Sequence, residues 1–403
     1  TKIYQRDDLL MAFDMVYFSP LRFKFQGKLI KKGWCEGLVI GDTRCGKTET
    51  SERLTAYYQL GEVASGENAS FAGIVGGLQQ TQKRWNIIWG KLPLNDRKLL
   101  IIDEVSGLRY EDIANMSSIR SSGIAEITKI QTERTMARTR ILWLSNPRID
   151  QPVNYFNSGV DIIKNLIGKP EDIARFDFAL ILANDEVSID VINNSYKTHV
   201  EHKYNKEVSR DLILWAWSRN VDDIIIDEKT TDVILEMSLM ICEKYSSDCP
   251  VVVPSEQKLK IAKLSIALAS RLFSTDDGER IIVKPEHAEY AYAWLDSIYS
   301  KPCFSYNLWS KNRKQNMELV AKEDIERELG QYGDNFVNTL LEMKQIRVTD
   351  LEEALGIERS KAKMLLAMLL SNKALKKMYS FYVKTPAFIG MLRKLQAEAL
   401  EGV

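Results

Sequence analysis

No stretch of the 403 residues is apolar for long enough to cross a bilayer as a helix, and no basic-then-apolar leader opens the chain. Charge of one sign is also missing. Fifty-five Lys plus Arg balance 55 Asp plus Glu, for a net charge of zero. No global basic field marks a nucleic-acid partner, so any polyanion has to be met by a local patch such as a pore lining. The 5 cysteines, at positions 35, 45, 242, 249 and 303, are an odd number without C-x-x-C spacing. They read as reduced thiols of a cytoplasmic protein rather than a disulfide framework or a zinc site. Of the 3 histidines, His199 and His202 stand three apart with no third ligand nearby, the pattern of a solvated helix face. With 45% hydrophobic and 27% charged residues the remainder is an ordinary globular composition, and the length calls for two or three domains.

The informative stretch is residues 37–48. Leu38–Ile40 is a short apolar run of buried-strand character. Gly41-Asp42-Thr43-Arg44-Cys45-Gly46-Lys47-Thr48 follows it, and Glu49 continues into a helical pattern. The G-x-x-x-x-G-K-T spacing is that of a phosphate-binding loop. Its glycines let backbone N–H groups approach phosphates, Lys47 reaches the β and γ phosphates, and the Thr48 hydroxyl ligates Mg²⁺. ATP with Mg²⁺ is the expected cofactor pair.

About 55 residues later, Leu99–Ile102 reads as a parallel-sheet strand buried on both faces and ends in Asp103-Glu104. Asp103 is placed to hold Mg²⁺ or its water, and Glu104 to polarise an attacking water. Between these motifs, Gly66–Gly77 is too rich in glycine for a plain helix. It is followed by Arg84–Gly90 and reads as a strand plus a projecting insertion within the helix that follows, the plain alternative being an irregular surface loop. Residues 124–134 carry Ile at helical spacing, but their β-branched content favours a hairpin. Ile141–Ser145 is the next strand and ends at Asn146-Pro147, where a polar tip residue would sit beside the γ-phosphate. Arg175 precedes another apolar strand, within 172–183, and is a candidate transition-state arginine; the plain alternative is a pair with Asp177.

From 205 to 301 apolar residues recur at 3.6 spacing, as in Leu259, Ala262, Leu264, Ile266, Ala269 and Leu272, which describes a small helical bundle. Residues 302–318 are polar and loosely patterned, like a linker. Beyond them, 348–364 has a helix–Gly turn–helix pattern with Thr349 as a candidate N-cap, and 374–384 offers two short strands. The resulting expectation is an α/β P-loop NTPase core (1–204), an α-helical lid (205–301), a linker (302–318) and a C-terminal winged-helix domain (319–403). The second helix of that domain carries Arg359, Lys361 and Lys363, and its wing Lys376 and Lys377.

Together these motifs resemble the AAA+ ATPases and, more narrowly, the minichromosome-maintenance (MCM) helicases, over roughly residues 10–300. Gly66-Glu67-Asn68-Ala69-Ser70-Phe71-Ala72-Gly73-Ile74-Val75 is similar to the MCM segment that leads into the helix-2 insert. Residues 124–147 resemble the pre-sensor-1 hairpin, its Ala-Arg-Thr return and the sensor-1 Asn-Pro. Ala174-Arg175-Phe176-Asp177 resembles the arginine-finger motif, and Ser255–Phe273 the lid helix where sensor 2 lies. The loop Asp-Thr-Arg-Cys departs from the usual Asp-Pro-Gly form, and no zinc-bearing N-terminal domain is present. In both respects the chain looks like the self-loading MCM-like helicases of bacterial mobile elements. The chain opens at Thr1, close to the nucleotide motif, and an upstream domain is expected before it.

The resemblance implies an ATP-driven DNA helicase that works as a homo-oligomeric ring, a hexamer, with DNA in its pore. Lys47, Thr48, Asp103, Glu104 and Asn146 would act from one subunit, and Arg175 would enter the neighbour's site. Lys258 would stand at sensor 2, although Lys lacks the bidentate fork of the usual Arg. Lys129 on the hairpin, with Lys83 and Arg84 on the insert, would grip DNA phosphates.

Overall fold

Five apolar runs form the framework: β1 (Glu36–Gly41), β2 (Glu62–Ser65), β3 (Leu99–Asp103), β4 (Arg140–Ser145) and β5 (Phe178–Leu182). In the computed structural model they form one parallel sheet in the order β5-β1-β4-β3-β2. Every residue of β1, β3, β4 and β5 is buried, which is why these segments read as continuous hydrophobic runs rather than alternating ones. β4 is inserted between β1 and β3, with Ser145 beside Ile40 and Trp143 beside Ile102. That crossover brings the carboxyl ends of three strands side by side, the place where open α/β sheets bind ligands.

The structure describes residues 5–81, 84–128, 132–187, 204–343, 345–372, 374–378 and 381–401. The chain divides into two compact units, Thr1–Lys311 and Asn312–Val403. In the first, the helices Lys206–Ser218, Glu228–Tyr245, Gln257–Arg271 and Pro285–Tyr299 correspond to the expected bundle. They share one apolar core with the sheet, illustrated by the edge-on contact of Phe178 with Trp294 at 5.0 Å between ring centres. Two β-hairpins leave the sheet. The insertion is Gly76–Thr81 paired with Arg84–Trp89, and the second is Ile124–Thr128 paired with Thr132–Met136. The β-branched content of 124–134 therefore prevails over its helical spacing.

The division between the two units falls within residues 302–318, the expected linker, and the segment is not a loop: a helix runs from Tyr306 to Gly330. Its polarity is that of a helix with little amphipathic pattern, which a periodicity argument cannot separate from a loop.

In the second unit, the helices Asp334–Glu342, Val348–Leu355 and Arg359–Ser371 precede the antiparallel strands Leu375–Met378 and Phe381–Lys384 and a closing helix, Pro386–Glu401. Ile346 bridges Tyr382 as a one-residue third strand. Leu340, Leu351, Leu365, Leu369, Phe388 and Leu392 form the core. Gly356 adopts φ 61° and ends the Val348–Leu355 helix. Thr349 is not its cap. The helix starts two residues earlier, where the Arg347 N–H donates to the Asp350 carboxylate at 2.8 Å.

Candidate nucleotide site

The phosphate loop is a backbone cradle. Arg44 (φ 70°) and Gly46 (φ 84°) both adopt the left-handed conformation, turning successive N–H groups toward one concavity at the start of the helix Lys47–Tyr58. A non-glycine residue in that conformation costs about 1–2 kcal/mol, a cost tolerated where the surroundings over-determine it. Much of that determination comes from Asp42, which is buried and accepts from the N–H of Val153 at 2.7 Å and of Asn184 at 3.1 Å. Asp42 is thus committed to tying the loop to its neighbours, and Thr43 and Arg44 are left as its solvent-facing part. Cys45 is buried with its thiol against Asn184 Oδ1 at 3.1 Å.

Lys47 is buried, and its ammonium donates to the carbonyls of Gly41 and Asp42, both at 2.8 Å, and to Asn146 Oδ1 at 2.9 Å. Burial pulls its pKa below the usual lysine range, against the opposing pull of Asp103 and Asp42. Asn146, at the tip of β4, therefore shares the Lys47 ammonium that a phosphate would draw on.

The Thr48 hydroxyl donates to Asp103 Oδ2 at 2.6 Å. Two hard oxygens this close, one a carboxylate at the end of β3, suit a Mg²⁺ ion that keeps water and phosphate oxygens for its other positions. Asp103 also accepts from the Glu104 N–H at 2.8 Å. Glu104 has φ 57°, a strained conformation that turns its carboxylate out of the strand, and Ser65 Oγ at the tip of β2 donates to it at 2.8 Å. Gly66 must approach closely here. Its N–H donates to Asp103 O at 2.6 Å, and a Cβ at this position would stand 2.5 Å from the Glu104 carbonyl oxygen.

Arg175 lies at the opposite end of the sheet. It precedes β5, whose first residue Phe178 pairs with Gly37 at the start of β1, whereas the phosphate loop leaves the end of β1. Its Nε donates to Ser117 Oγ at 2.8 Å, Asp172 lies 3.8 Å away, and 26% of the side chain is exposed. The alternative partner Asp177 is taken by Lys263 at 2.9 Å. Lys258 is likewise not brought to the loop of its own chain. It begins the helix Gln257–Arg271 and donates to Gln26 Oε1 at 3.3 Å.

Lys83 and Lys129 lie outside the described residues, as do His199 and His202, while Arg84 opens the second strand of the insert hairpin opposite Thr81. Among the described residues no group of three His, Cys, Asp or Glu side chains could hold a metal ion by itself, and all 5 cysteines are free. No helix among them is long and apolar enough to cross a membrane. Sequence reading passed over Ser65, Ser117 and Asn184. A lone Ser or Asn carries no spacing signal, and each is identified only by the partner the fold gives it.

This sheet order and loop are those of an α/β P-loop NTPase core, and comparison with known proteins narrows the class. The family description "MCM P-loop domain" matches residues 1–194. The chain is 18% identical over 347 residues to DNA replication licensing factor MCM2 of Arabidopsis thaliana, which covers 84% of this chain and 34% of that protein. It is 23% identical over 219 residues to the mcm2 licensing factor of Xenopus tropicalis, covering 51% of this chain and 24% of that one. The Xenopus laevis counterpart is 22% identical over the same length. The chain thus spans about a quarter to a third of the length of these relatives. These similarities support an MCM-like AAA+ ATPase.

Proposed function

We propose that this chain is the motor of a ring-forming, ATP-driven DNA helicase that serves the replication of a mobile element. The observation that carries the reading is the separation of Arg175 from the phosphate loop. Gly37 and Gly41 bound the strand between them, and four residues at about 3.3 Å each place Arg175 more than roughly 13 Å from its own nucleotide. A partly exposed arginine there is available to a neighbour's γ-phosphate rather than its own, and closed symmetry of such head-to-tail contacts gives a ring, a hexamer by likeness to the family. The licensing-factor relatives support a replicative role.

In each site the loop N–H groups and Lys47 hold the phosphates, Thr48 and Asp103 hold Mg²⁺, and Asn146 and Glu104 orient the water. Glu104 takes the water's proton. Mg²⁺, when bound, neutralises the charge developing on the phosphate oxygens. The arginine finger supplies about 10³–10⁵ in rate in related reactions. Lys129, Lys83 and Arg84 supply the cations that hold DNA phosphates in the pore. The second unit is a winged helix, with Arg359, Lys361, Lys363, Lys376 and Lys377 among its exposed cations. Trp85, 44% exposed on the insert hairpin, favours one second reading, a protein remodeller with an aromatic pore grip.

The test is ATPase activity with and without single-stranded DNA for the intact chain, Arg175→Ala, Glu104→Gln and an equal mixture of the two variants. Stimulation by DNA, silent single variants and partial recovery on mixing are expected. Full activity of Arg175→Ala with no response to DNA would overturn the reading, and stimulation by unfolded protein would favour the remodeller.

A further inference from the structure

The turn that carries Arg175 is held from the lid by an uncommon device. Lys260, on the helix Gln257–Arg271, is 4% exposed, and its ammonium faces no carboxylate at bonding distance among the described residues. Its three N–H donors go to three backbone carbonyls: Ala174 at 3.1 Å, Phe176 at 2.7 Å and Val251 at 2.7 Å. Two of these carbonyls flank Arg175. The neighbouring carboxylate, Asp177, is paired instead with Lys263 at 2.9 Å and accepts from the Glu36 N–H at 2.8 Å.

On its other side the same turn meets Arg120. This guanidinium donates to Asp172 O at 3.0 Å and to Glu36 Oε1 at 2.6 Å and lies over the Phe176 ring. A buried ammonium is costly, and burial lowers the Lys260 pKa to about 8. Three satisfied donors offset that cost only while the carbonyls of residues 174, 176 and 251 converge. The group therefore specifies one geometry of the turn.

We propose that Lys260 is a positioning residue for Arg175, through which the lid helix fixes where the arginine projects into the neighbouring subunit's nucleotide site. The inference rests on the reading of Arg175 as the finger. With Lys260 replaced by an apolar side chain, the carbonyls of Ala174 and Phe176 lose their buried donor. The turn then re-forms around other partners, and the guanidinium leaves its productive position. A shift of about 1 Å in a positioned group costs roughly 10²-fold in rate.

The decisive experiment uses the assembled chain with Lys260→Met, Lys260→Gln and Arg175→Ala, each alone and mixed with Glu104→Gln. Lys260→Met is expected to lower kcat about 10²-fold, with the KM for ATP within about twofold, since the phosphate loop of the same subunit is intact. Lys260→Gln, which keeps two donors, is expected to lose less. Mixing Lys260→Met with Glu104→Gln restores activity, because the Glu104→Gln subunit supplies an intact Arg175 to the intact Glu104 site of its neighbour. Damage confined to folding gives no such recovery, so a loss that mixing does not restore overturns the proposal. So does wild-type kcat in the Lys260 variants while Arg175→Ala is silent. Wild-type activity of Arg175→Ala instead removes the finger reading itself, a distinct result.

Discussion

Thr48 Oγ1 and Asp103 Oδ2 stand 2.6 Å apart, joining the first turn of the phosphate-loop helix to the end of β3. The two residues are brought together because β4 separates β1 from β3 and aligns their carboxyl ends. Exchanging Asp103 for Asn keeps the shape and removes the charge. We expect ATP turnover to fall about 10²-fold or more, with a raised Mg²⁺ requirement, in a titration of activity against Mg²⁺.

Glu104 is held out of its strand by backbone strain and by Ser65. Glu104→Gln is expected to retain ATP binding while kcat falls about 10²–10⁴-fold, as for loss of a general base. Ser65→Ala is expected to lower kcat by less, leaving nucleotide affinity unchanged in an equilibrium binding assay.

Gly66 tests whether that geometry depends on the backbone. A methyl group there meets the Glu104 carbonyl at 2.5 Å, so Gly66→Ala has to displace the Glu104 turn. A displacement of about 1 Å predicts roughly a 10²-fold loss of kcat, with nucleotide binding preserved because Lys47 and its loop lie on the far side of Asp103.

The buried charges behind Arg175 give a pH signature. Burial alone would raise the Asp177 carboxyl, but Lys263, Lys32 and Lys260 together hold it below the ordinary aspartate value. Its stabilising contribution is complete above the ordinary carboxylate range and is lost as pH falls through the lowered value. Lys260 acts with the same sign in a window at higher pH. Burial lowers it from 10.5 to about 8, so between these values the unfolded chain binds more protons and stability gains as pH rises. Lys32 and Lys47 are lowered by burial as well, so thermal melts at pH 8 and pH 10 are expected to show a larger gain in the intact chain than in Lys260→Met.

Core packing offers a stability test. Trp143 is fully buried in β4, donates to Glu36 Oε1 at 2.9 Å and meets Phe176 edge-on at 5.6 Å. Trp143→Ala is expected to cost about 3–5 kcal/mol from the cavity, with a smaller further loss of one of the two donors to Glu36 Oε1, which keeps Arg120 at 2.6 Å, measured by denaturant unfolding.

The sequence by itself determined the phosphate-loop pattern and the strands that flank it, because Gly41–Thr48, the apolar run into Asp103-Glu104 and the Asn146 strand tip are each local patterns. A chain fragment forms such a loop or strand largely from its own glycines and β-branched residues. The hairpin at 124–136 and the helices after 205 were legible for the same reason. The helix Tyr306–Gly330 was not, since a polar helix without an apolar stripe has no periodicity to read, and the Val348–Leu355 cap was displaced by an Asp350 contact that competes equally well. Only the tertiary structure decided which end of the sheet each functional residue occupies. Ser65 beside Glu104, Ser117 beside Arg175 and Lys260 around residues 174 and 176 are pairings across 39, 58 and more than 80 positions of chain. Such contacts depend on strand order and burial, which set where a donor is needed, and a single serine or lysine carries no mark of them in its own neighbourhood.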